Sequence, residues 1–262
     1  MNLKLFFRNL GHFLAFPFVI SSLWISIKFS NKKAKDYKNN PDFYSVEDRF
    51  LRVYKLVKKA LFLFNVKINY TGFENVPKRP VLFVPNHKSN IDPLIFIKTL
   101  YEHEGYPYYH FVAKKEMSEN NLAYGASVLI DCLFLDRKNP REIIKILAKE
   151  EEIIKKDSMV VFLEGKRIED ENIIGEIKSA GLVPAINNLS TIVPVAVYGT
   201  SGTMKKNEKR RFGYKEFDIT FLKPIKHTEY VGKNKDILAS NIKDIIEKEY
   251  MILKKTREEK DK

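Results

Sequence analysis

Residues 81–93 read Val-Leu-Phe-Val-Pro-Asn-His-Lys-Ser-Asn-Ile-Asp-Pro. The first four are apolar and rich in Val and Phe, the signature of a short buried strand. Pro85 and Asn86 end it. Ile91, Leu94, Ile95, Ile97 and Leu100 then recur at helical spacing. Ser89 or Asn90 can cap that helix, and Pro93 suits its first turn. The stretch is therefore a strand, a turn and a helix, the repeating step of an α/β domain. His87 and Asp92 sit where strand becomes helix. On one regular helix their five-residue separation is about 500° of rotation, so they would face apart. They meet only if His87 lies in the turn and Asp92, in the first helical turn, reaches back. A carboxylate on one ring nitrogen fixes the tautomer and leaves the other nitrogen as a base. A surface histidine and an unrelated helix-starting aspartate fit the spacing equally well.

Strands and helices alternate outward from this stretch. Strands are expected at Val66–Tyr70, Val81–Val84, Tyr109–Ala113, Val128–Leu135, Met159–Leu163, Thr191–Tyr198 and Phe217–Leu222. Helices are expected at 91–102, from Asn139-Pro140 to about Lys156, and from about Asp236 onward. The fold class is α/β, with a mixed, largely parallel sheet flanked by helices. Ser45-Val-Glu-Asp48 resembles a capping box with Asp for Glu. After it, Val46, Phe50, Val53, Val57, Leu61 and Phe64 follow helical spacing among Arg52, Lys55, Lys58 and Lys59. Such a basic amphipathic helix suits a membrane surface or an ordinary domain face.

Phe13–Ile27 is the longest apolar run, and basic residues flank it. It is shorter than the roughly 20 residues of a spanning helix, and Pro17, Ser21, Ser22 and Ser26 interrupt it. The favoured reading is a segment lying in one leaflet with Trp24 near the headgroups; a single span and a core helix are the alternatives. Residues 31–44 read as a linker. Three regions result: an N-terminal helical membrane-association motif over 1–65, an α/β domain over 66–235, and a C-terminal helix with a charged tail over 236–262.

The chain has 262 residues and a formal net charge of +13. That balance fits an anionic bilayer, an anionic substrate or carrier, or nucleic acid. No nucleic-acid motif appears, so no nucleic-acid partner is expected. Cys132 is the only cysteine, which excludes an intramolecular disulfide and a cysteine metal cluster. No metal-ligand spacing is present and no metal is expected.

Three further motifs follow His87-x4-Asp92 in order: Phe134-Leu-Asp-Arg137, Phe162-Leu-Glu-Gly-Lys-Arg167 and Ile192-Val-Pro-Val195. The ordered set resembles the glycerolipid acyltransferases, in particular the bacterial 1-acylglycerol-3-phosphate acyltransferases, over roughly residues 70–200. The resemblance implies the glycerolipid acyltransferase fold with an N-terminal helical membrane-binding motif. It implies transfer of a fatty acyl group to the sn-2 hydroxyl of 1-acylglycerol 3-phosphate, with His87 as base and Asp92 as its orienting partner. It also implies that Arg137, Glu164, Gly165 and Arg167 contact the glycerol phosphate. Ala113-Lys-Lys-Glu-Met117 matches a further family element and makes Lys114 a second phosphate ligand, with Lys178 a weaker one. No cofactor is implied; acyl-CoA, acyl-carrier protein or acyl phosphate would be the donor. Expected partners are the membrane surface, lysophosphatidic acid and the acyl donor, at the cytoplasmic face of the cell membrane. The third motif departs from the family's Phe-Pro-Glu-Gly-Thr-Arg-Ser, with Leu163, Lys166 and Ile168 at the changed positions. Lys166 leaves the acceptor open: glycerol 3-phosphate or another lysophospholipid is the alternative, and an inactive basic membrane-binding protein is a further one.

Overall fold

The structure, a computed structural model, describes residues 3–103, 108–204 and 213–260. Eight α-helices and seven strands alternate along the described residues: α1 (Leu3–Asn39), α2 (Val46–Leu63), β1 (Val66–Thr71), β2 (Val81–Pro85), α3 (Asp92–Tyr101), β3 (Tyr109–Lys114), α4 (Tyr124–Leu129), β4 (Leu133–Leu135), α5 (Pro140–Ile153), β5 (Ser158–Val160), α6 (Val183–Asn187), β6 (Thr191–Tyr198), β7 (Lys215–Phe221), α7 (His227–Tyr230) and α8 (Lys235–Lys260). The strands form one sheet in the order β1-β7-β6-β2-β5-β3-β4. From β6 to β4 every pairing is parallel. Only β7 runs antiparallel to β6, with β1 parallel beside it.

β2 lies inside this sheet, between β6 and β5, and all five of its residues are buried. Its side chains alternate between faces. Val81 and Phe83 join one core with Phe50, Val57, Ile95 and Phe96 from α2 and α3. Leu82 and Val84 join a second core with Leu238, Ile242 and Ile246 from α8. A strand covered on both faces reads as an unbroken apolar run, as this one does. α8 is thus one wall of the α/β body, not an appendage to it. α2 likewise packs its apolar face into the domain, with Phe50, Val53 and Val57 buried. Its start is capped as expected, by Ser45 Oγ accepting the Asp48 N–H at 3.1 Å.

Two expectations fail for tertiary reasons. Residues 31–39 are not linker, because α1 continues through them to Asn39. Ala34 is fully buried there, and Tyr37 Oη donates to Asp131 Oδ1 at 2.8 Å. Ser21 and Ser26 do not break the helix either, since each hydroxyl donates to the carbonyl four residues back. The strand expected over 128–135 begins as helix α4, and only Leu133–Leu135 is strand. Gly125 lies so close to α1 that a Cβ would sit 2.5 Å from Asn31 Oδ1, and that oxygen accepts the Gly125 N–H. Asp131 then reverses the chain with a φ of 50°, held by Tyr37 and by Arg49 Nη1 at 2.7 Å.

On α1, Phe7, Phe13, Phe18, Trp24 and Phe29 stand exposed while the other side packs on α2 and α4. From Phe7 the helix is long and apolar enough to cross a membrane by length and composition.

Candidate active site

The parallel strands β2, β5, β3 and β4 all end at one edge, where open α/β sheets place their ligands. The His87 turn follows β2, the Glu164–Arg167 loop follows β5, Lys114 ends β3, and Arg137 follows β4. The motifs form a row along that edge in an order different from that of the chain: the His87 turn, the Glu164–Arg167 loop, Lys114 and then Arg137.

His87 and Asp92 meet. Nδ1 of His87 lies 2.9 Å from Asp92 Oδ2, and Asp92 is fully buried. The same oxygen accepts the backbone N–H groups of Lys88 and Ser89, each at 2.8 Å. Neither Ser89 nor Asn90 caps α3; the Asp92 carboxylate, at the first helical position, gathers the preceding N–H groups instead. With Nδ1 facing a carboxylate, that nitrogen carries the proton and Nε2 is left as the basic position. The imidazole is partly exposed, and the Phe162 ring lies beside it with centroids 4.2 Å apart.

The loop after β5 clamps the His87 backbone from both sides. Glu164 Oε1 accepts the His87 N–H at 2.8 Å, and the Ile168 N–H donates to the His87 carbonyl at 2.8 Å. Glu164 Oε2 accepts the Gly175 N–H at 3.2 Å, and a Cβ on Gly175 would fall 2.5 Å from that oxygen. The resemblance implies that Glu164 contacts the acceptor's glycerol phosphate. In the structure it is buried and its two oxygens accept backbone N–H groups, so that it braces the His87 turn. Burial raises its carboxyl above the usual carboxylate value, against the opposing pull of the two N–H groups and the nearby Lys88.

Gly165 takes a φ of +70°, which suits a residue with no Cβ. The Lys178 side chain lies over it, with Nζ 3.0 Å from where a Cβ would be. Arg167 and Lys166 are exposed on the same loop. The three cations therefore cluster beside the His87 turn. Lys114 and Arg137 are also exposed but lie farther along the edge. Arg137 follows β4, three strands from β2, or roughly 14 Å at the usual strand spacing. Asp136 pairs with Lys115 at 3.6 Å, not with Arg137.

Two supporting residues escaped the sequence reading. The Asn86 side chain bonds both the N–H and the carbonyl of Val197, at 2.7 and 2.9 Å, and ties the end of β2 to β6. Lys88 is almost wholly buried, and its Nζ donates to the carbonyls of Asp170 and Ile173 at 2.7 and 2.5 Å. Burial lowers its ammonium pKa. Their only sequence signal was position, on either side of His87. Among the described residues no group of three or more His, Cys, Asp or Glu could hold a metal ion.

A family model described as Acyltransferase matches residues 67–198. A protein of Mycoplasma pneumoniae named "Probable 1-acyl-sn-glycerol-3-phosphate acyltransferase" is 38% identical over 217 residues, which is 80% of each chain. One of Mycoplasma genitalium with the same name is 36% identical over 244 residues, 90% of each. The crystal structure of the 1-acyl-sn-glycerophosphate acyltransferase PlsC from Thermotoga maritima superposes with a TM-score of 0.69 at 18% identity. That likeness covers 94% of this chain and 98% of the other, and it is a likeness of fold.

Proposed function

The chain belongs to the acyltransferase family, and we propose that it moves a fatty acyl group from an acyl thioester to the sn-2 hydroxyl of 1-acylglycerol 3-phosphate, giving phosphatidic acid. The observation that carries this reading is the His87–Asp92 hydrogen bond at the ligand edge of the sheet; relatives named for the same reaction support it. His87 Nε2 takes the proton of the acceptor hydroxyl as its oxygen attacks the thioester carbonyl carbon. The tetrahedral intermediate collapses by expelling the thiolate, which receives the proton from the imidazolium. Asp92 stabilises the ring while it is charged. No acyl-enzyme is required: Cys132 packs against the core and burial pushes its thiol up to about 12, the reverse of an activated nucleophile.

Arg167 is the phosphate clamp in this reading, because its planar fork matches phosphate oxygens. Lys166 and Lys178 add charge beside it, and Lys114 and Arg137 widen the positive edge outward. The test is acyl transfer in mixed micelles, with 1-acylglycerol 3-phosphate, glycerol 3-phosphate and 1-acylglycerol as acceptors. Acyl-CoA, acyl-carrier protein and acyl phosphate are offered as donors. Arg167→Ala is expected to raise KM for 1-acylglycerol 3-phosphate by about 10- to 100-fold, the worth of a hydrogen bond to a charged group. Its use of phosphate-free 1-acylglycerol should not change. An equal loss on both acceptors would rule out the clamp.

The acceptor carries a fatty chain, so the enzyme meets it at the bilayer. The exposed aromatic side of α1 is the seat in this reading, on the cytoplasmic face where thioester donors are made. Replacing Phe13, Phe18 and Trp24 together with Ser should weaken co-sedimentation with vesicles at least tenfold, since each ring carries a large apolar area. The thermal midpoint should hold, because these side chains are exposed. Undiminished sedimentation would move the seat elsewhere.

A further inference from the structure

Residues 161–178, after β5, form neither helix nor strand. Their backbone groups therefore need partners outside regular structure. Within them, residues 168–175 leave and return at one place. The Ile168 N–H donates to the His87 carbonyl at 2.8 Å, and the Gly175 N–H donates to Glu164 Oε2 at 3.2 Å. A Cβ on Gly175 would fall 2.8 Å from Ile168 Cγ1, so the two ends of this loop touch. Inside the closed loop stands the Lys88 ammonium. Its Nζ donates to the carbonyls of Asp170 and Ile173 at 2.7 and 2.5 Å, and it lies 4.9 Å from the centroid of the Tyr250 ring on α8. An ammonium has three N–H donors. Two meet carbonyls here, and the ring face adds a third, weaker attraction.

Lys88 is 1% exposed, and burying an ammonium is unfavourable unless its donors are met. The loop supplies both carbonyls, so the burial of the lysine and the shape of the loop depend on each other. Ser201 Oγ and Lys254 Nζ also reach the loop, at the Glu169 carbonyl and at Asn172 Oδ1, but through hydrogen bonds exposed to solvent.

The loop is flanked by the cations of the site. Lys166 and Arg167 come just before Ile168, and Lys178, whose side chain lies over Gly165, follows Gly175. Lys88 itself adjoins His87. One buried side chain thus ties the turn that carries the base to the segment that carries the cations. We propose that Lys88 is a positioning residue for acyl transfer: by filling the loop over 168–175 it sets the distance between His87 and Arg167, so that the hydroxyl of a phosphate-held acceptor falls at His87 Nε2. The proposal deepens the reading given above and rests on Arg167 as the phosphate clamp.

The experiment uses the full chain in mixed micelles. Lys88→Met keeps most of the apolar stem and removes the donors. Its kcat/KM for 1-acylglycerol 3-phosphate is expected to fall at least about tenfold, since a displacement of about 1 Å at the reacting atoms is worth up to about 100-fold. Phosphate-free 1-acylglycerol makes no use of the clamp and should lose far less. Equal losses on the two acceptors would make Lys88 merely structural and overturn the proposal. Hydrogen exchange reads the loop itself: amides over 168–175 should exchange faster in Lys88→Met and not in Arg167→Ala. A selective loss with unchanged exchange would mean that the ammonium acts by its charge, and would overturn positioning. Because Lys88 works through Arg167, adding Lys88→Met to Arg167→Ala should lower the rate on 1-acylglycerol 3-phosphate little further; losses that multiply would overturn the link. Arg167→Ala alone reads the clamp. Equal losses on both acceptors there sink the clamp and this proposal with it, whereas a selective loss there and an unselective one in Lys88→Met sinks Lys88 alone. If Lys88→Met melts too early to assay, Lys88→Gln, with two N–H donors on a shorter stem, must show the same selective loss.

Discussion

His87→Ala is expected to remove about 10²- to 10⁴-fold of turnover, the usual contribution of a positioned general base. The geometry makes this a clean substitution. His87 is hydrogen-bonded to the loop after β5 by its backbone alone, through its N–H to Glu164 and its carbonyl from the Ile168 N–H. Alanine keeps both. What leaves is a partly exposed ring that touches Phe162 and Asp92. The thermal midpoint should therefore change little while kcat collapses. KM for the acceptor should stay near the wild-type value, because the cations assigned to the phosphate lie on another loop. Single-turnover acyl transfer with saturating acceptor measures the chemical step directly. If the alanine protein keeps a tenth or more of the wild-type rate, the base lies elsewhere on the sheet edge.

How far the sequence foretold this arrangement depends on the range of the interactions involved. β2, its turn and α3 were legible because an apolar run, a proline in the first turn and helical spacing act within about 20 residues. The Ser45 cap and β6 are local in the same sense, and β6 spans Thr191–Tyr198 as read. What was illegible depends on long-range partners. The extension of α1 to Asn39 needs Asp131 and Gly125, more than 80 residues away. The same contact between α1 and α4 turned an expected strand into a helix. At the site, spacing allowed His87 and Asp92 to meet across one turn, and it was the resemblance of the ordered motifs that paired them. Glu164 could not be placed, since its partners are the N–H groups of His87 and Gly175. Those donors come from a different strand end and from farther along its own loop. A motif carboxylate beside an arginine reads as a ligand or an ion pair; only the fold reveals a strut. Lys88 shows the same limit. A lysine in a turn reads as solvated, and only the Asp170–Ile173 segment, folded over it, supplies the carbonyls that bury it.

Asp92→Asn separates the two things this residue does. Asp92 Oδ2 holds the turn, through the Lys88 and Ser89 N–H groups, and it faces His87 Nδ1. An asparagine can present its carbonyl oxygen to all three donors and keep the geometry. Its amide nitrogen then takes the place of Oδ1, which is buried with no partner in the native site. The reverse orientation would set an NH₂ against three N–H groups and is disfavoured. The substitution thus preserves the turn at a modest loss of stability, about 1–3 kcal/mol for one unsatisfied buried donor. What it removes is the negative charge beside the imidazolium. If that charge serves the reaction, kcat falls by about 10²- to 10⁴-fold with KM nearly unchanged, as when a buried aspartate that orients a catalytic histidine is neutralised in other enzymes. If Asp92 only holds the turn, Asn should work nearly as well as Asp, and only Ala, which abandons two buried N–H groups, should impair both stability and rate. The double variant His87→Ala, Asp92→Asn decides whether the two act as a unit. A carboxylate that works through the imidazole has nothing to act on once the ring is gone, so the double variant should be no slower than His87→Ala alone. A further tenfold drop in the double variant would mean that Asp92 reaches the reaction by a route that does not pass through His87.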